Sequence, residues 1–316
     1  MKILITGANG FIGSYLAKKL SNVPAVKLTL ASRVASPAQW GRTFKVNQID
    51  STTEWSEALV GCQYVIHTAA RAHVMNDKDS DPLTEYRRVN VDGTINLARQ
   101  AAEAGLRRFI FISSIKVNGE QTSLGNPFTA EDIPAPEDAY GISKYEAEQG
   151  LLKIAADTGL EVVIIRPPLV YGPGVKGNFF SMMRIVKKGT PLPLGAIKNK
   201  RSLVALDNLV DLISTCIEHP AAANQVFLAG DGEDLSTTEL LRGVAKAAGM
   251  TSRLIPLPAS VLMFVAFLLG KRTVAQKLLG SLQVDISKTR VLLDWTPPLS
   301  VEEGLSRCFV ENADRF

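Results

Sequence analysis

The chain opens on Met1-Lys-Ile-Leu-Ile-Thr6, a short apolar run, followed at once by Gly7-Ala-Asn-Gly10-Phe-Ile-Gly13 and an amphipathic stretch over 14–20. An apolar run of this length with glycine at its end reads as a buried strand, and the stretch after the glycines as a helix. Strand, glycine turn and helix in that order form a βα unit. The glycines let the turn tighten and the backbone approach a pyrophosphate, which then rests on the helix N-terminus. The spacing G-x-x-G-x-x-G is one residue longer in its first gap than the commoner G-x-G-x-x-G. Gly7, Asn9, Gly10, Phe11, Ile12 and Gly13 are therefore the candidate contacts to a dinucleotide.

The remainder extends this unit. Runs at 27–32, 64–68, 109–113 and 162–166 read as strands from their length, apolar content and flanking breakers. Helical periodicity covers about 53–60, 84–104 and 140–158. Strands alternating with helices imply a parallel sheet covered on both faces, a doubly wound α/β fold. Around Pro167 proline and glycine become frequent and the alternation stops. A smaller C-terminal α/β part is expected from there.

At 316 residues the chain can bury a large core, and 46% hydrophobic against 21% charged residues describes a globular protein. The net charge of +4 is spread as small pairs such as Arg87-Arg88 and Lys187-Lys188. That argues against nucleic acid, whose binding needs cations clustered on one face. Cys62, Cys216 and Cys308 are odd in number and lack metal-ligand spacing, so no metal is expected and a reducing cytoplasm is. With a strand beginning at Lys2, no signal peptide is expected ahead of the fold.

Chemistry enters with Tyr140-Gly-Ile-Ser-Lys144 and the upstream hydroxyl of Ser114. Residues four apart on a helix share a face, which brings Lys144 beside Tyr140. A phenol titrates near pH ~10, and neighbouring positive charge pulls that value toward the range of a working acid or base.

Thr6 to Gly13, Ser113-Ser114, Tyr140-x-x-x-Lys144 and Arg166-Pro-Pro-Leu-Val-Tyr171-Gly-Pro-Gly174 together resemble the extended short-chain dehydrogenase/reductases, the nucleotide-sugar epimerase and dehydratase family. Val284-Asp-Ile-Ser-Lys288 and Leu293-Asp-Trp-Thr-Pro297 match its C-terminal pattern. The resemblance implies a Rossmann-type domain over 1–166, with about 204–229 returning to it, and a substrate-binding part over 167–203 and 230–316. It implies that Tyr140 exchanges a proton with a sugar oxygen, that Ser114 orients that oxygen and that Lys144 binds the nicotinamide ribose. Asp50 corresponds to the residue that bonds the adenine amino group, and Ala69 lies in the stretch along the cofactor. Neighbouring His67 reads as a packed histidine rather than a catalyst. Asn178 and Arg201 correspond to diphosphate contacts, and Leu194 to the stretch along the uracil. A homodimer through helices near 84–104 and 140–158 is also implied.

Finer features narrow the reaction. Dehydratases of the family carry Asp-Glu after the catalytic hydroxyl, where this chain has Ile115 and Lys116, so dehydration is not expected. The second strand ends Ser32-Arg33 with no acid for a ribose, which favours NADP(H) over NAD(H). NADP(H) leans toward a reductase, and Gly280-Ser-Leu-Gln-Val-Asp285 after a long apolar segment resembles bacterial enzymes of surface-polysaccharide clusters. That resemblance implies reduction of the 4-keto group of a UDP-4-keto-6-deoxy-(N-acetyl)hexose for polysaccharide or O-antigen synthesis. The alternative is a UDP-glucose or UDP-N-acetylglucosamine 4-epimerase with tightly bound NAD. Tyr140 and Lys144 count against a non-catalytic redox sensor, and Asn178 and Arg201 against a hydroxysteroid or flavonoid-type reductase.

One segment stands outside this scheme. Residues 254–269 carry no charge and only Pro256, Pro258 and Ser260 interrupt their apolar or small side chains. Spanning a bilayer takes ~20 residues. The run is expected to be a helix buried in the substrate part or in an interface, with shallow membrane-surface contact, at the inner face, as the other reading.

Overall fold

The computed structural model describes residues 1–34, 36–72 and 81–310. The described residues form ten strands: β1 (Lys2–Thr6), β2 (Lys27–Ser32), β3 (Arg42–Lys45), β4 (Tyr64–His67), β5 (Arg108–Ile112), β6 (Glu161–Arg166), β7 (Leu169–Tyr171), β8 (Arg201–Ala205), β9 (Gln225–Leu228) and β10 (Asp234–Leu235). Seven form a sheet in the order β3-β2-β1-β4-β5-β6-β9, each neighbouring pair parallel. β10, β8 and β7 form a smaller sheet, parallel between β7 and β8 and antiparallel between β8 and β10.

Alternation along each strand divides the core of the large sheet into two layers. Ile3, Ile5, Tyr64, Ile66, Ile110, Ile112, Val163 and Ile165 face one layer, where helices Phe11–Ser21 and Leu206–Glu218 pack. Leu4, Val65, Phe109, Phe111, Val162 and Ile164 face the other, against Gly93–Glu103 and Ala139–Thr158. Both faces are covered, which is why these strands read as unbroken apolar runs. The direction of winding reverses between β1 and β4. Ligands of open α/β sheets bind at such a crevice, beyond the carboxyl ends of the strands.

The expected elements differ from the observed ones in three places. Helix 53–60 shrinks to Ser56–Leu59, because the Thr53 hydroxyl turns back to the Gln48 carbonyl and the Asp50 carboxylate. The long helix 84–104 is interrupted by a π-helical turn at Arg88–Asp92 between Pro82–Arg87 and Gly93–Glu103. Within 254–269 only Ala259–Leu268 is helical and none of its residues is buried, which overturns a place inside the substrate part. Pro256 and Pro258 end the preceding segment, and helix Arg272–Leu279 folds back against the outlying helix.

Candidate active site

At the crevice, the glycine turn is pressed against the end of β4. Gly7 has φ +68°, and a Cβ there would stand 2.8 Å from the Ala69 amide nitrogen. A Cβ on Gly13 would stand 2.2 Å from the Gly7 carbonyl oxygen and 2.7 Å from Thr68 Oγ1. Two of the three glycines are thus required by packing of turn, helix and β4. Gly10 is exposed and caps helix Phe11–Ser21 without a side-chain hydrogen bond, so the first amides of that helix keep their donors for an anion. Asn9 donates from Nδ2 to the Val34 carbonyl (2.5 Å) and accepts from Ser36 Oγ (2.9 Å), joining the turn to the end of β2. A dinucleotide fits this cradle: nothing larger than hydrogen projects at Gly10, and the helix N-terminus faces it uncapped.

His67 closes the floor. Its Nδ1 lies 2.6 Å from Thr6 Oγ1 and its Nε2 3.0 Å from Thr94 Oγ1. Thr94 spends its own proton on the Asn90 carbonyl, so Nε2 carries the ring proton and Nδ1 accepts from Thr6. Burial, then the Lys144 charge, push the ring pKa down to about 3. A neutral histidine with both nitrogens engaged positions the neighbouring strands and helices.

The chemistry-bearing side chains gather where β5 ends. Ser114 begins the short turn Ile115–Val117, and its hydroxyl accepts from the Lys116 amide and hydrogen-bonds the Tyr140 phenol. Tyr140 stands in the first turn of helix Ala139–Thr158, capped by Asp138, whose Oδ1 accepts from the Gly141 amide at 2.7 Å. The other Asp138 oxygen binds Lys116 Nζ, which also reaches Glu120 at 2.8 Å. Burial pushes the Tyr140 hydroxyl above its ordinary range, the Asp138 carboxylate and Tyr86 add to that, and the Ser114 hydrogen bond opposes it. Lys144, expected with a nicotinamide cation to pull this value down, is not among the groups that move it. Lys144 Nζ sits over the Phe111 ring, 4.0 Å from its centroid. Burial pushes its pKa down to about 7, against the opposing pull of Glu148.

The residues expected to meet a substrate or the cofactor's far end are spread more widely. Asn178 is exposed in the first turn of helix Gly177–Lys187. Leu194 is half-buried against the small sheet's core, its carbonyl held by Thr238 Oγ1 at 2.6 Å. Arg201, at the start of β8, donates from Nη1 to the carbonyls of Lys277 (2.8 Å) and Gly280 (3.2 Å). Ser32 is buried and donates to the Val34 carbonyl, while Arg33 is exposed. Asp50 is held by Thr52 and Thr53, with Arg88 3.5 Å away, and the Thr52 backbone hydrogen bond leads the causes that lower its pKa.

The sequence model of the NAD dependent epimerase/dehydratase family matches residues 3–230. A Vibrio cholerae protein named UDP-glucose 4-epimerase is 52% identical over 306 residues, covering 96% of this chain and 93% of that one. The chain belongs to the NAD dependent epimerase/dehydratase family. It is an enzyme of that nucleotide-sugar family, an extended short-chain dehydrogenase/reductase. Its fold is shared with solved structures. The UDP-glucuronic acid 4-epimerase from Bacillus cereus in complex with NAD aligns at a TM-score of 0.80 and 22% identity, over 100% of this chain and 97% of that chain. The Thermotoga maritima UDP-glucose 4-epimerase with UDP-glucose aligns at 0.79 and 24% identity, over 100% and 99%.

Around the site of this family member lie residues that sequence reasoning did not single out. Asn90, in the π-helical turn, is buried and links Arg71 to Ser143, donating to Ser143 Oγ at 3.0 Å. Glu148 is buried, accepts from Ser113 and takes both Nε and Nη2 of Arg166 on its two oxygens, while Arg166 Nη1 donates to Asn118 Oδ1 at 3.0 Å. Two signals were available: Asp138 has the residue type and position of an N-cap, and Glu148 follows Lys144 by one helical turn. Asn90 had none, because a π turn leaves no periodicity of its own.

Proposed function

We propose that this enzyme is a UDP-sugar 4-epimerase working with NAD, and that Tyr140, Ser114 and Lys144 carry the reaction. The observation that supports it most is the hydrogen-bonded pair of Ser114 and Tyr140 beside the glycine cradle, one helical turn from Lys144. The high identity to a relative named UDP-glucose 4-epimerase favours epimerisation over the 4-keto reduction first expected. Likewise, the Bacillus cereus neighbour binds NAD, and an exposed Arg33 is a weak reason to prefer NADP.

NAD, when bound, supplies the acceptor and donor of the hydride at carbon four of the sugar. In this reading the first amides of helix Phe11–Ser21 take the pyrophosphate, and Gly7, Asn9, Gly10, Phe11, Ile12 and Gly13 shape its seat. Ser32, Arg33 and Asp50 line the adenosine side and Ala69 the passage along it. Lys144 holds the nicotinamide ribose. As the phenolate, which the positive charge of a bound nicotinamide would favour over the neutral phenol, Tyr140 takes the proton of the sugar's 4-hydroxyl as that carbon is oxidised and returns it when the carbon is reduced from the other face. Ser114 bonds the same oxygen and fixes its direction. Ile115 has no proton to give a leaving hydroxyl, and Lys116 is held by Asp138 and Glu120, so loss of water has no acid or base here. Residues 167–203 and 230–316 form the substrate part, with Asn178 and Arg201 on the diphosphate and Leu194 along the uracil. The active form is a homodimer through the helices near 84–104 and 140–158.

The test is incubation of purified protein with UDP-glucose and, separately, UDP-N-acetylglucosamine, with no added cofactor, following the 4-epimers by chromatography. Interconversion is expected, with Tyr140→Phe slower by about 10²–10⁴-fold, the usual worth of a positioned acid–base group. No interconversion, together with oxidation of NADPH by a UDP-4-keto-6-deoxy-N-acetylhexose, would overturn the epimerase reading in favour of the reductase.

A further inference from the structure

Helix Ala259–Leu268 carries a single polar side chain, Ser260, and none of its residues is fully buried. Phe264 and Phe267 are each 62% exposed, and Leu268 and Leu269 66% and 67%. An all-apolar helix is ordinarily buried. Here it projects on the hairpin it forms with Arg272–Leu279.

Charge along the hairpin's own sequence has one sign. From Gly249 to Val284 the chain has no carboxylate, and its charged residues are Arg253, Lys271, Arg272 and Lys277. All four are exposed, and among the described residues none forms an ion pair. Lys271 and Arg272 follow the apolar helix directly, where cations also complement the negative end of the helix dipole. An apolar wedge edged by cations is complementary to acyl chains beneath anionic headgroups. It is a poor match for a second copy of itself, which would face cations with cations.

We propose that the hairpin 259–279 docks this enzyme on the surface of an anionic phospholipid bilayer. The helix lies in the interface plane. Ten residues extend about 15 Å, half of the ~30 Å hydrocarbon thickness, and no described helix is long and apolar enough to cross. The hairpin is also tied to the active-site side of the molecule. Arg201 and Asn199 hold the Gly280 carbonyl, Thr237 Oγ1 holds that of Leu278, and Lys277 lies within electrostatic reach of Asp138, the cap of the Tyr140 helix. Docking therefore brings the catalytic helix N-terminus toward headgroup level. None of this depends on whether the enzyme epimerises or reduces its sugar.

Flotation of the full-length protein with vesicles tests the proposal. Binding is expected to vesicles of phosphatidylglycerol with phosphatidylcholine, and to be lost at high salt and on phosphatidylcholine alone. Phe264→Ser with Phe267→Ser should weaken partitioning by about tenfold or more. Lys271→Glu with Arg272→Glu should weaken it by at least about fivefold per charge. Both pairs are on the surface, and an unchanged thermal midpoint verifies the fold. Failure of the parent protein to float with anionic vesicles overturns the proposal, as does equal flotation of the serine variant. If the protein instead self-associates without vesicles, and the serine variant abolishes that association without any vesicle binding by the parent, the hairpin is a subunit interface and the proposal is wrong.

Discussion

Lys144 is a cation placed where a cation is costly. Its ammonium is buried over Phe111 with Glu148 one helical turn away, and its pKa falls from near 10.5 to about 7. The consequence for stability has a definite sign. Below about pH 7 both folded and unfolded chains hold the proton, and above about 10.5 neither does. Between these values the unfolded chain binds a proton that the folded chain lacks, so stability rises with pH through this window, by at most about 1.4 kcal/mol per unit. Lys144→Met keeps the length of the side chain and removes the titration. Its urea midpoint should climb less than the parent's between pH 7 and 9; parallel curves for the two proteins would mean that Lys144 is not the titrating group. Burial is also the largest cause that moves the Tyr140 pKa up, while the expected lowering counted on a nicotinamide cation beside the Lys144 ammonium. Spacing puts phenol and ammonium on one helix face, but the direction of a pKa depends on what surrounds each group.

Among the elements, the glycine turn shows how tightly sequence and packing are coupled. Gly13 lies in the first turn of its helix, and an added Cβ meets backbone on one side and the Thr68 side chain on the other. Gly13→Ala must therefore push the helix off β4, with an overpacking cost of about 1–3 kcal/mol and a displaced pyrophosphate seat. Thermal unfolding with and without added NAD separates the effects: a lowered midpoint alone is packing, while a lost NAD-induced rise reports the seat. An unchanged midpoint would refute the packing account. Elements that bury a face were legible beforehand. β2 begins and ends at the residues expected, and helix Ala139–Thr158 starts within a residue of the expected bound. Elements decided by single side chains were not. Thr53 shortens one helix by turning to Asp50, the π turn at Arg88–Asp92 leaves the apolar pattern intact, and the helix at Ala259–Leu268 has a core-like composition with no core around it.

For the molecule as a whole, the two sheets are joined by shared elements rather than by a linker. β8 belongs to the small sheet, yet the helix that follows it, Leu206–Glu218, packs in the core of the large one, and β9 then pairs with β6. The far end of that helix is held by Arg108 of β5, whose Nη1 reaches the carbonyls of Cys216, Ile217 and His219. Its near end is held by Asp207, which accepts at 2.6 Å both from Tyr15 of the first helix and from Arg307 of the last. Lys19 stands 3.8 Å away. One carboxylate thus ties the N-terminal helix, the crossing helix and the C-terminal helix Val301–Val310. A molecule braced this way should unfold as one unit, so urea transitions followed by tryptophan fluorescence and by far-ultraviolet circular dichroism should coincide. Asp207→Ala removes the charged acceptor and should cost about 1–3 kcal/mol. The lower end applies because Arg307 and Lys19 remain half in water and are not stranded as buried charges. If the two probes separate in the parent protein, the sheets unfold independently and Asp207 is a local contact only; if they separate in the variant alone, Asp207 is what makes the two sheets one cooperative structure.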